Sequence, residues 1–343
     1  MTVVKRSTFA TLVAASCVAA APASGQVTLN ASSWVPPGHP ITATMLVPLC
    51  ADFEKATAGR VKCNVLPKAP VNAIQTFDGV KDGLMDLSFI VPGYTQGRFA
   101  LTDAPEFPFM GDTSVVTSVA YQRIYERMLA KADEFKGVVA LGVFTHGPGQ
   151  IYNTKRAING LKDLDGLKIR VGGGIVNEVA KVLGTVPMLK PAPESYELLS
   201  SGVADGVFFP KESPASFKLV PLIKYVTYVP GGLYNTSFAW IANPAKWSQM
   251  SEADRKAIQP LLGEALAKRT GEAWDAADAK GAAAVAEAKI PTAIAGPQLM
   301  AEIKAKTEPL EREWIEKKAK PKGVDGEAVL KALRAEIAAL QKK

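Results

Sequence analysis

Apolar residues recur along this chain in short alternating runs, and segments with helical periodicity separate those runs. The runs VTLNASSW from Val27, RVKCNVLP around Cys63 and the apolar stretch ending near Pro92 predict three strands. Helices are predicted between them, over residues 41–57 and after Thr76. Strands that alternate with helices in this way are typical of an α/β layer with parallel strands.

The second half of the chain repeats this order of elements. LKIRV predicts a strand over 167–171, followed by a helix over 175–183 and a short strand over 186–189. SYELLSSGVADGVFFP then matches TFDGVKDGLMDLSFIV from the first half, because both place a helix-ending glycine and an aspartate before an apolar strand. The matched pairs are Phe77 and Tyr196, Gly83 and Gly202, Asp86 and Asp205, and Phe89 and Phe208. The repeat predicts two similar α/β domains.

The remaining segments connect and cover these units. SFAWIAN after Asn235 predicts a strand. Ser251 and Asp254 predict an N-cap for the helix that follows, which Pro260 should end or kink. Other helices are predicted over 115–130, over 274–289 and from Gly326.

We expect the two domains to share the chain in an interleaved way. The expected parts are 26–148 with about 236–285 for domain I, and 149–235 with about 286–343 for domain II. Crossing segments near 144–150 and 235–238 would act as hinges on either side of a cleft. Ligands of open α/β sheets bind beyond the carboxyl ends of the strands, so this cleft is the predicted binding site.

Residues 1–25 have the pattern of a secretory signal peptide. Lys5 and Arg6 precede an apolar, alanine-rich stretch, and small residues from Ala21 onward suit cleavage. A lipoprotein site at Cys17 is the alternative, but it lacks the branched residue expected at its start. No later segment is long and apolar enough to span a bilayer. We therefore expect a soluble protein that is exported to the periplasm.

Charge and cysteine content argue against two further classes of protein. The formal net charge is +7 at pH 7, but lysines gather in the C-terminal tail without interleaved aromatic residues. Nucleic-acid binding is therefore not predicted. Cys50 and Cys63 are able to pair in an oxidising compartment, and two cysteines are too few for a metal site. No metal or other cofactor is expected.

Arg170 stands inside the apolar strand LKIRV, and Gly172, Gly173 and Gly174 follow it closely. A guanidinium presents a planar fork of donors that matches a carboxylate. The glycines would let a ligand approach the N–H groups that begin the next helix, where an anion is also favoured. The stretch predicts a carboxylate clamp, with an ordinary surface ion pair as the alternative. Arg98 is either a second anion contact or a bridge to a carboxylate.

Four more residues follow strands at the predicted cleft. Trp34 and His39 come after the first strand, Tyr94 comes after the third, and Phe209 ends the last apolar strand of the repeat. Trp34 and His39 have structural alternatives, since a tryptophan packs under loops and a lone histidine beside prolines often holds a loop. Phe208 and Phe209 alternate, so one of them should face the core.

The run from NGLKDLDG through GLKIRV to AKVLGTVPMLKPAPESYELLSSGVADG resembles the TRAP transporter solute-binding proteins of the DctP family. The similarity extends to the segment with Trp34 and His39, to VKDGLMDLSF, to FPF at 107–109 and to the Ser251 helix. It implies a two-domain, class II-like periplasmic binding protein that closes on a small organic acid. It also implies delivery to the small and large subunits of a membrane permease, with Arg170 binding the carboxylate in a bidentate salt bridge.

Two positions depart from the pattern of the sialic-acid-binding members of that family. Their second ligand-binding arginine corresponds to Gln150, and the asparagine of their DGQENP run corresponds to Phe209 in DGVFFP. Asn235 matches a family asparagine near the pocket. These departures favour an aromatic or otherwise apolar monocarboxylate as the ligand. Uronates and C4-dicarboxylates are the alternatives of the same type.

Two other classes of function stay open at this point. His39 and His146 are the only histidines, and the chain lacks the G-x-S-x-G, H-E-x-x-H, P-loop and G-x-G-x-x-G motifs. An enzyme therefore has little support. A receptor that presents its ligand to a sensor kinase would use the same pocket. We expect a monomeric receptor that is not an enzyme.

Overall fold

The protein is described by a computed structural model over residues 25–342, in which eleven strands form two sheets. The predicted signal peptide lies outside these residues except for Gly25. The strands are β1 Val27–Ala31, β2 Val61–Val65, β3 Leu87–Ile90, β4 Val139–Thr145, β5 Gln150–Asn153, β6 Lys168–Val171, β7 Val186–Leu189, β8 Gly206–Phe209, β9 Tyr225–Tyr228, β10 Ser237–Ala242 and β11 Thr292–Ile294.

Helices cover both sheets. The α-helices are α1 Val47–Ala56, α2 Thr76–Lys81, α3 Ser114–Ile124, α4 Ile175–Val182, α5 Ser195–Ser200, α6 Ser213–Ser216, α7 Pro244–Ser248, α8 Glu252–Ile258, α9 Glu264–Glu287, α10 Pro297–Trp314 and α11 Gly326–Gln341. Turns of π-helix over Ile41–Leu46, Tyr125–Leu129 and Ile315–Ala319 adjoin α1, α3 and α10. None of the described helices is long and apolar enough to cross a membrane.

The two sheets have related topologies. Their strand orders are β2-β1-β3-β10-β4 and β11-β9-β5-β8-β6-β7. In the first sheet β1 is parallel to β2 and β3, and in the second β6 is parallel to β7 and β8. β10 and β5 each enter antiparallel, directly after the chain has crossed from the other sheet. The predicted pair of α/β units is confirmed.

The internal repeat extends to its hydrogen bonds. Asp86 Oδ2 accepts from the backbone N–H of Asn30 at 2.8 Å, and Asp205 Oδ2 accepts from that of Lys168 at 2.9 Å. Each aspartate N–H also donates back to the carbonyl of the same partner, at 2.8 and 2.7 Å. Equivalent aspartates therefore fix the first strand of each unit beside the third, as their matched positions in the sequence indicate.

The crossing segments run side by side between the sheets. The Gly149 N–H donates to the Tyr234 carbonyl at 2.8 Å, and the Leu233 N–H donates to the Gly149 carbonyl at 2.9 Å. α9 packs on α3 and β4 and also contacts α6, so it spans both units. α10 contacts α4, whereas α11 contacts α3. The division of the chain into two domains at the expected boundaries stays a prediction.

Several local predictions can be compared with the structure. The Ser251 hydroxyl accepts from the Asp254 N–H at 3.0 Å, and α8 ends at Ile258, before Pro260. Cys50 and Cys63 form a disulfide that links α1 to β2.

The sequence patterns do not predict three elements of the structure, namely β9, β11 and α10. α10 contains Pro309, a residue that normally interrupts helices.

Candidate functional site

A cavity lies between the sheets, at the carboxyl ends of β1, β3, β6 and β8. The crossing segments and α9 complete its wall. Six of the eight residues predicted for the site line the cavity, namely Trp34, His39, Tyr94, Arg170, Gly172 and Phe209.

The other two predicted residues, Gln150 and Asn235, are not among those lining the cavity. Gln150 is held by backbone, since its Oε1 accepts from the Val229 N–H at 2.6 Å and its Nε2 donates to the Pro148 carbonyl at 3.0 Å. Asn235 is buried with its Nδ2 3.5 Å from the Pro105 carbonyl. The resemblance to the family indicated which positions to consider. It did not indicate that backbone groups, instead of a ligand, are the partners of these two side chains.

Arg170 is buried in the cavity wall, with 2% of its surface exposed. Its guanidinium carbon lies 4.4 Å from the centroid of the Phe209 ring, its Nε donates to the Lys190 carbonyl at 2.9 Å, and Nη2 lies 3.4 Å from the Tyr94 hydroxyl. Within residues 25–342 Arg170 forms no salt bridge with a carboxylate, whereas several other arginines do. Arg170 is therefore a buried cation with uncommitted N–H donors, and not the arginine of a surface ion pair.

Tyr94 and Gly172 shape this end of the cavity. The Tyr94 hydroxyl accepts from the Ala192 N–H at 3.0 Å and from Arg170, so its own hydrogen remains available to a ligand. A Cβ on Gly172 would lie 3.3 Å from Tyr94 Cε1, so glycine leaves room for the ring beside the guanidinium. Tyr94 follows β3 of the first sheet, whereas Ala192 and Arg170 belong to the second unit, so the two sides of the cleft are in contact.

The glycines before α4 have a different role from the predicted one. A Cβ on Gly174 would lie 2.2 Å from Glu106 Oε2, and one on Gly173 would lie 2.2 Å from the Gly93 carbonyl oxygen. The Ile175 N–H, at the start of α4, donates to Glu106 Oε2 at 3.0 Å. The expectation that a ligand anion uses this helix start is wrong, because an internal carboxyl group already occupies it.

Glu106 joins the two units behind the cavity. Its Oε1 accepts from the Ser237 N–H at 2.9 Å and from the Ser237 hydroxyl at 2.7 Å, while Oε2 accepts from Ile175. Burial raises the pKa of Glu106 to about 8, and the charge of nearby Asp103 adds to that effect. The carboxyl group thus connects β10 of the first sheet with α4 of the second unit.

Aromatic rings form much of the cavity wall. Phe209 stacks on Phe217 with centroids 5.6 Å apart and an interplanar angle of 10°, and Phe217 lies 5.0 Å from the His39 ring. Trp34 packs 4.7 Å from Phe89 and donates its indole N–H to the Phe89 carbonyl at 3.2 Å. Trp34 therefore both supports its loop and faces the cavity, which combines the two alternatives for this residue.

Two neutral histidines line the cavity. His146 Nδ1 contacts the Gly147 carbonyl, so Nδ1 carries the hydrogen. Burial lowers the pKa of His146 to about 3, and the charge of Arg170 lowers it further. His39 Nδ1 accepts from the Ile41 N–H at 3.3 Å, which leaves its hydrogen on Nε2. Burial also lowers the pKa of His39.

Glu212 forms a second polar end of the cavity with Asp278 beside it. Glu212 Oε1 accepts from the Ser213 hydroxyl at 2.6 Å, and the Glu212 N–H donates to Asp278 Oδ1 at 2.8 Å. Glu212 Oε2 is buried without a hydrogen-bond partner among the described residues. Burial raises the pKa of Asp278 well above its usual value, and the charge of Glu212 adds to the rise.

Sequence reasoning did not identify Glu212, Phe217 or Trp274, which also line the cavity. Glu212 and Phe217 follow DGVFFP within a few residues, so a wider search after that run would have included them. Trp274 lies in α9, far along the chain from the other lining residues, and no local pattern marks its orientation. The described residues contain no group of three histidine, cysteine, aspartate or glutamate side chains suited to a metal ion.

Comparison with known families gives one match over most of the chain. The model of the DctP family, bacterial extracellular solute-binding protein, family 7, matches residues 31–318. That range includes every lining residue described above.

Three solved structures are similar along their whole length. A TRAP periplasmic solute-binding protein from Bordetella bronchiseptica, with bound (R)- and (S)-mandelate, is 45% identical with a TM-score of 0.89. One from Rhodoferax ferrireducens, with copurified benzoate, is 28% identical with a TM-score of 0.87. One from a marine metagenome, specific for aromatic acid ligands and holding 3-hydroxybenzoate, is 32% identical with a TM-score of 0.87. Each alignment covers 92% of this chain and 99% of the other.

Proposed function

The chain belongs to the DctP family of bacterial extracellular solute-binding proteins, family 7, and from that premise we propose that it binds an aromatic monocarboxylate at Arg170. It is a TRAP solute receptor, and its relatives are binding proteins rather than enzymes. On this proposal the mature receptor is a monomer in the periplasm that has lost residues 1–25. It passes the acid, unchanged, to the small and large permease subunits.

The observation that carries the proposal is the state of Arg170. A buried guanidinium without an anionic partner is costly, because desolvation of the charge is not offset by an ion pair. Its uncommitted donors and the Tyr94 hydroxyl hydrogen converge where one carboxylate would be bound. A ligand carboxylate supplies the missing charge, which explains why the arginine is retained in an apolar wall.

The rest of the lining supports an aromatic body for the ligand. The stacked rings of Phe209 and Phe217 and the indole of Trp34 offer flat apolar surfaces. Mandelate, benzoate and 3-hydroxybenzoate in the three similar structures each combine one carboxylate with an aromatic ring. A C4-dicarboxylate would bring a second negative charge toward Glu212 and Asp278, and a uronate needs more polar partners than these rings supply.

Binding and closure are coupled in this proposal. The cleft would open by bending at the paired crossing segments, near 144–150 and 235–238. The acid then docks on Arg170, and closure brings Tyr94 from the first unit against Ala192 of the second. The closed outer surface is the form that the permease would recognise.

A thermal-shift screen of the mature protein tests the ligand class. The panel is benzoate, 3-hydroxybenzoate, both enantiomers of mandelate, glucuronate and succinate. A ligand present at a thousandfold excess over its Kd stabilises the protein by about 4 kcal/mol, which is easily measured. We expect shifts with the aromatic acids alone. Shifts confined to glucuronate or succinate would contradict the proposed class, and calorimetry with the best acid would show whether binding has a stoichiometry of one.

A further inference from the structure

We infer that the polar end of the cavity at Glu212 recognises a ring hydroxyl of the ligand, remote from its carboxylate. The inference rests on the proposed function and narrows it, from aromatic acids in general to hydroxylated ones. Glu212 would accept the hydrogen of the hydroxyl, and a neighbouring N–H group would donate to its oxygen.

Glu212 has an oxygen that lacks a donor. The residue is 2% exposed and lines the cavity, and its Oε2 has no partner among residues 25–342. His39 Nε2 is 3.8 Å from Oε1, which is too long for a hydrogen bond. Buried polar atoms are rarely left unsatisfied, so a donor from the ligand is the simplest completion of this group.

Two donors that line the same cavity as Glu212 are also uncommitted. The indole N–H of Trp274 is buried without a partner among the described residues, and Trp274 lines the same cavity. The hydrogen of His39 lies on Nε2, facing the Glu212 side. A hydroxyl both donates and accepts, so it suits an acceptor and a donor together. An ammonium group would satisfy only Glu212, and a carboxylate only the N–H groups.

Aromatic rings line the wall from the Arg170 end of the cavity to the Glu212 end, so a flat ring suits the space between them. Starting from Arg170, the wall continues through Phe209 at 4.4 Å, then Phe217 at 5.6 Å, then His39 at 5.0 Å. His39 Nε2 in turn lies 3.8 Å from Glu212 Oε1, so these rings connect the two ends of the cavity wall. A hydroxyl on the carbon next to the carboxylate would remain near Arg170, whereas one at the meta or para position of the ring would extend toward Glu212.

The Glu212 carboxylate also selects against a second acid group at this end of the cavity. Glu212 donates its backbone N–H to Asp278, and both carboxyl groups are buried. Like charges brought together in a low-dielectric site are unfavourable, so a second carboxylate at this end would be rejected. The same carboxyl groups do not oppose a neutral hydroxyl.

Isothermal titration with matched ligand pairs tests the inference. The probes are benzoate against 3- and 4-hydroxybenzoate, and mandelate against 4-hydroxymandelate, on wild type and on Glu212→Gln. We expect wild type to bind at least one hydroxylated acid about tenfold or more tightly than its parent, since a hydrogen bond to a buried charged group is at stake. Glu212→Gln should reduce that ratio to about threefold or less while leaving the parent acid bound. Trp274→Phe, which keeps an aromatic ring, should also reduce it.

Controls separate this inference from the proposed function. Glu287→Gln, at an exposed position of α9, should keep the wild-type ratio, and melting curves verify that each variant is folded. Equal affinity of wild type for parent and hydroxylated acids, or an unchanged ratio in Glu212→Gln, would overturn the inference while the aromatic-acid receptor stands. Failure of wild type to bind any of these acids would overturn the proposed function itself.

Discussion

Arg170 and Glu106 lie on opposite sides of one glycine turn, and both are ionisable side chains buried between the two units. Glu106 has each of its oxygens occupied, by Ser237 and by Ile175. Arg170 gives one N–H to a backbone carbonyl and has weak or no partners for the rest. The first arrangement is complete within the chain, whereas Arg170 has no anionic partner among the described residues, as its proposed role in binding a carboxylate expects. Satisfaction of the hydrogen-bond donors and acceptors, rather than burial alone, distinguishes a buried ionisable group with a structural role from one proposed to bind a ligand.

Arg170→Ala should give the largest effect, and it should act on affinity. Loss of the guanidinium from a buried charge pair costs about 2–5 kcal/mol of binding free energy, measured by calorimetry with the best aromatic acid. The unfolding free energy of the ligand-free protein should not fall comparably, because a buried cation without an anionic partner is removed. Arg98→Ala is the matched control, since Arg98 pairs with Asp78 at 2.9 Å outside the cavity. Wild-type affinity in Arg170→Ala would refute the clamp.

Glu106→Ala should have the opposite effect, because it should lower the free energy of unfolding rather than the affinity for the ligand. It leaves the donors of Ser237 and Ile175 without an acceptor, at ~1–3 kcal/mol for each unsatisfied group, partly offset because a buried carboxyl group is removed. We expect the unfolding free energy from urea titration to fall by about 3 kcal/mol. An exposed glutamate, Glu287→Ala, serves as the control. A stable Glu106→Ala protein that has lost ligand affinity would place Glu106 with Arg170 and remove the contrast between them.

Phe209→Leu tests the cavity side of the contrast between Arg170 and Glu106. It removes the ring under the guanidinium and the stacking on Phe217, a loss of about 1–2 kcal/mol in affinity. Phe208→Leu is the paired control, because Phe208 is fully buried in the core on the other face of β8. That variant should lose stability and keep affinity. Equal loss of affinity in both variants would mean that the ring environment of Arg170 is not specific.

The fold could be predicted from the sequence because the sequence features that determine it are local. Alternating apolar residues specify β1 and β6, and helix-ending glycines followed by Asp86 and Asp205 specify the turn into the third strand of each unit. These features repeat at matched positions, so each half supports the interpretation of the other. The sequence does not predict α10, because Pro309 interrupts its helical pattern. Packing of α10 on α4 outweighs the unfavourable effect of proline on helix formation.

The residues that form the cavity could be predicted only in part from the sequence. Arg170 and Phe209 follow from the rule that ligands bind at the carboxyl ends of parallel strands. The part played by Glu106 depends on contacts with Ser237 and Ile175, residues that lie far away in the chain. Such long-range partners leave no periodic pattern in the sequence. For the same reason the sequence predicts that the glycines before α4 serve the ligand, whereas in the structure they make room for this internal carboxyl group.

The smallest effect we expect is a pH dependence with opposite sign on the two sides of the turn. At the cavity, burial lowers the pKa of His146 from 6.5 to about 3. Between these values the unfolded chain binds a proton that the native protein does not, so the contribution of His146 to stability falls as the pH drops below 6.5. At Glu106 the pKa rises from 4.5 to about 8, so the native protein retains a proton there and stability falls as the pH rises through that window.

Difference curves isolate the two contributions, because other buried groups such as His39 and Asp278 titrate in both members of each pair. Urea titrations of wild type and His146→Gln should show the advantage of wild type shrinking by about 1 kcal/mol between pH 7.5 and pH 5.5. The same comparison with Glu106→Gln should show that advantage growing as the pH falls. If both differences change in the same direction, His146 and Glu106 do not give stability opposite dependences on pH. The contrast between Arg170, with uncommitted donors, and Glu106, with both oxygens bonded, then rests on hydrogen bonds alone.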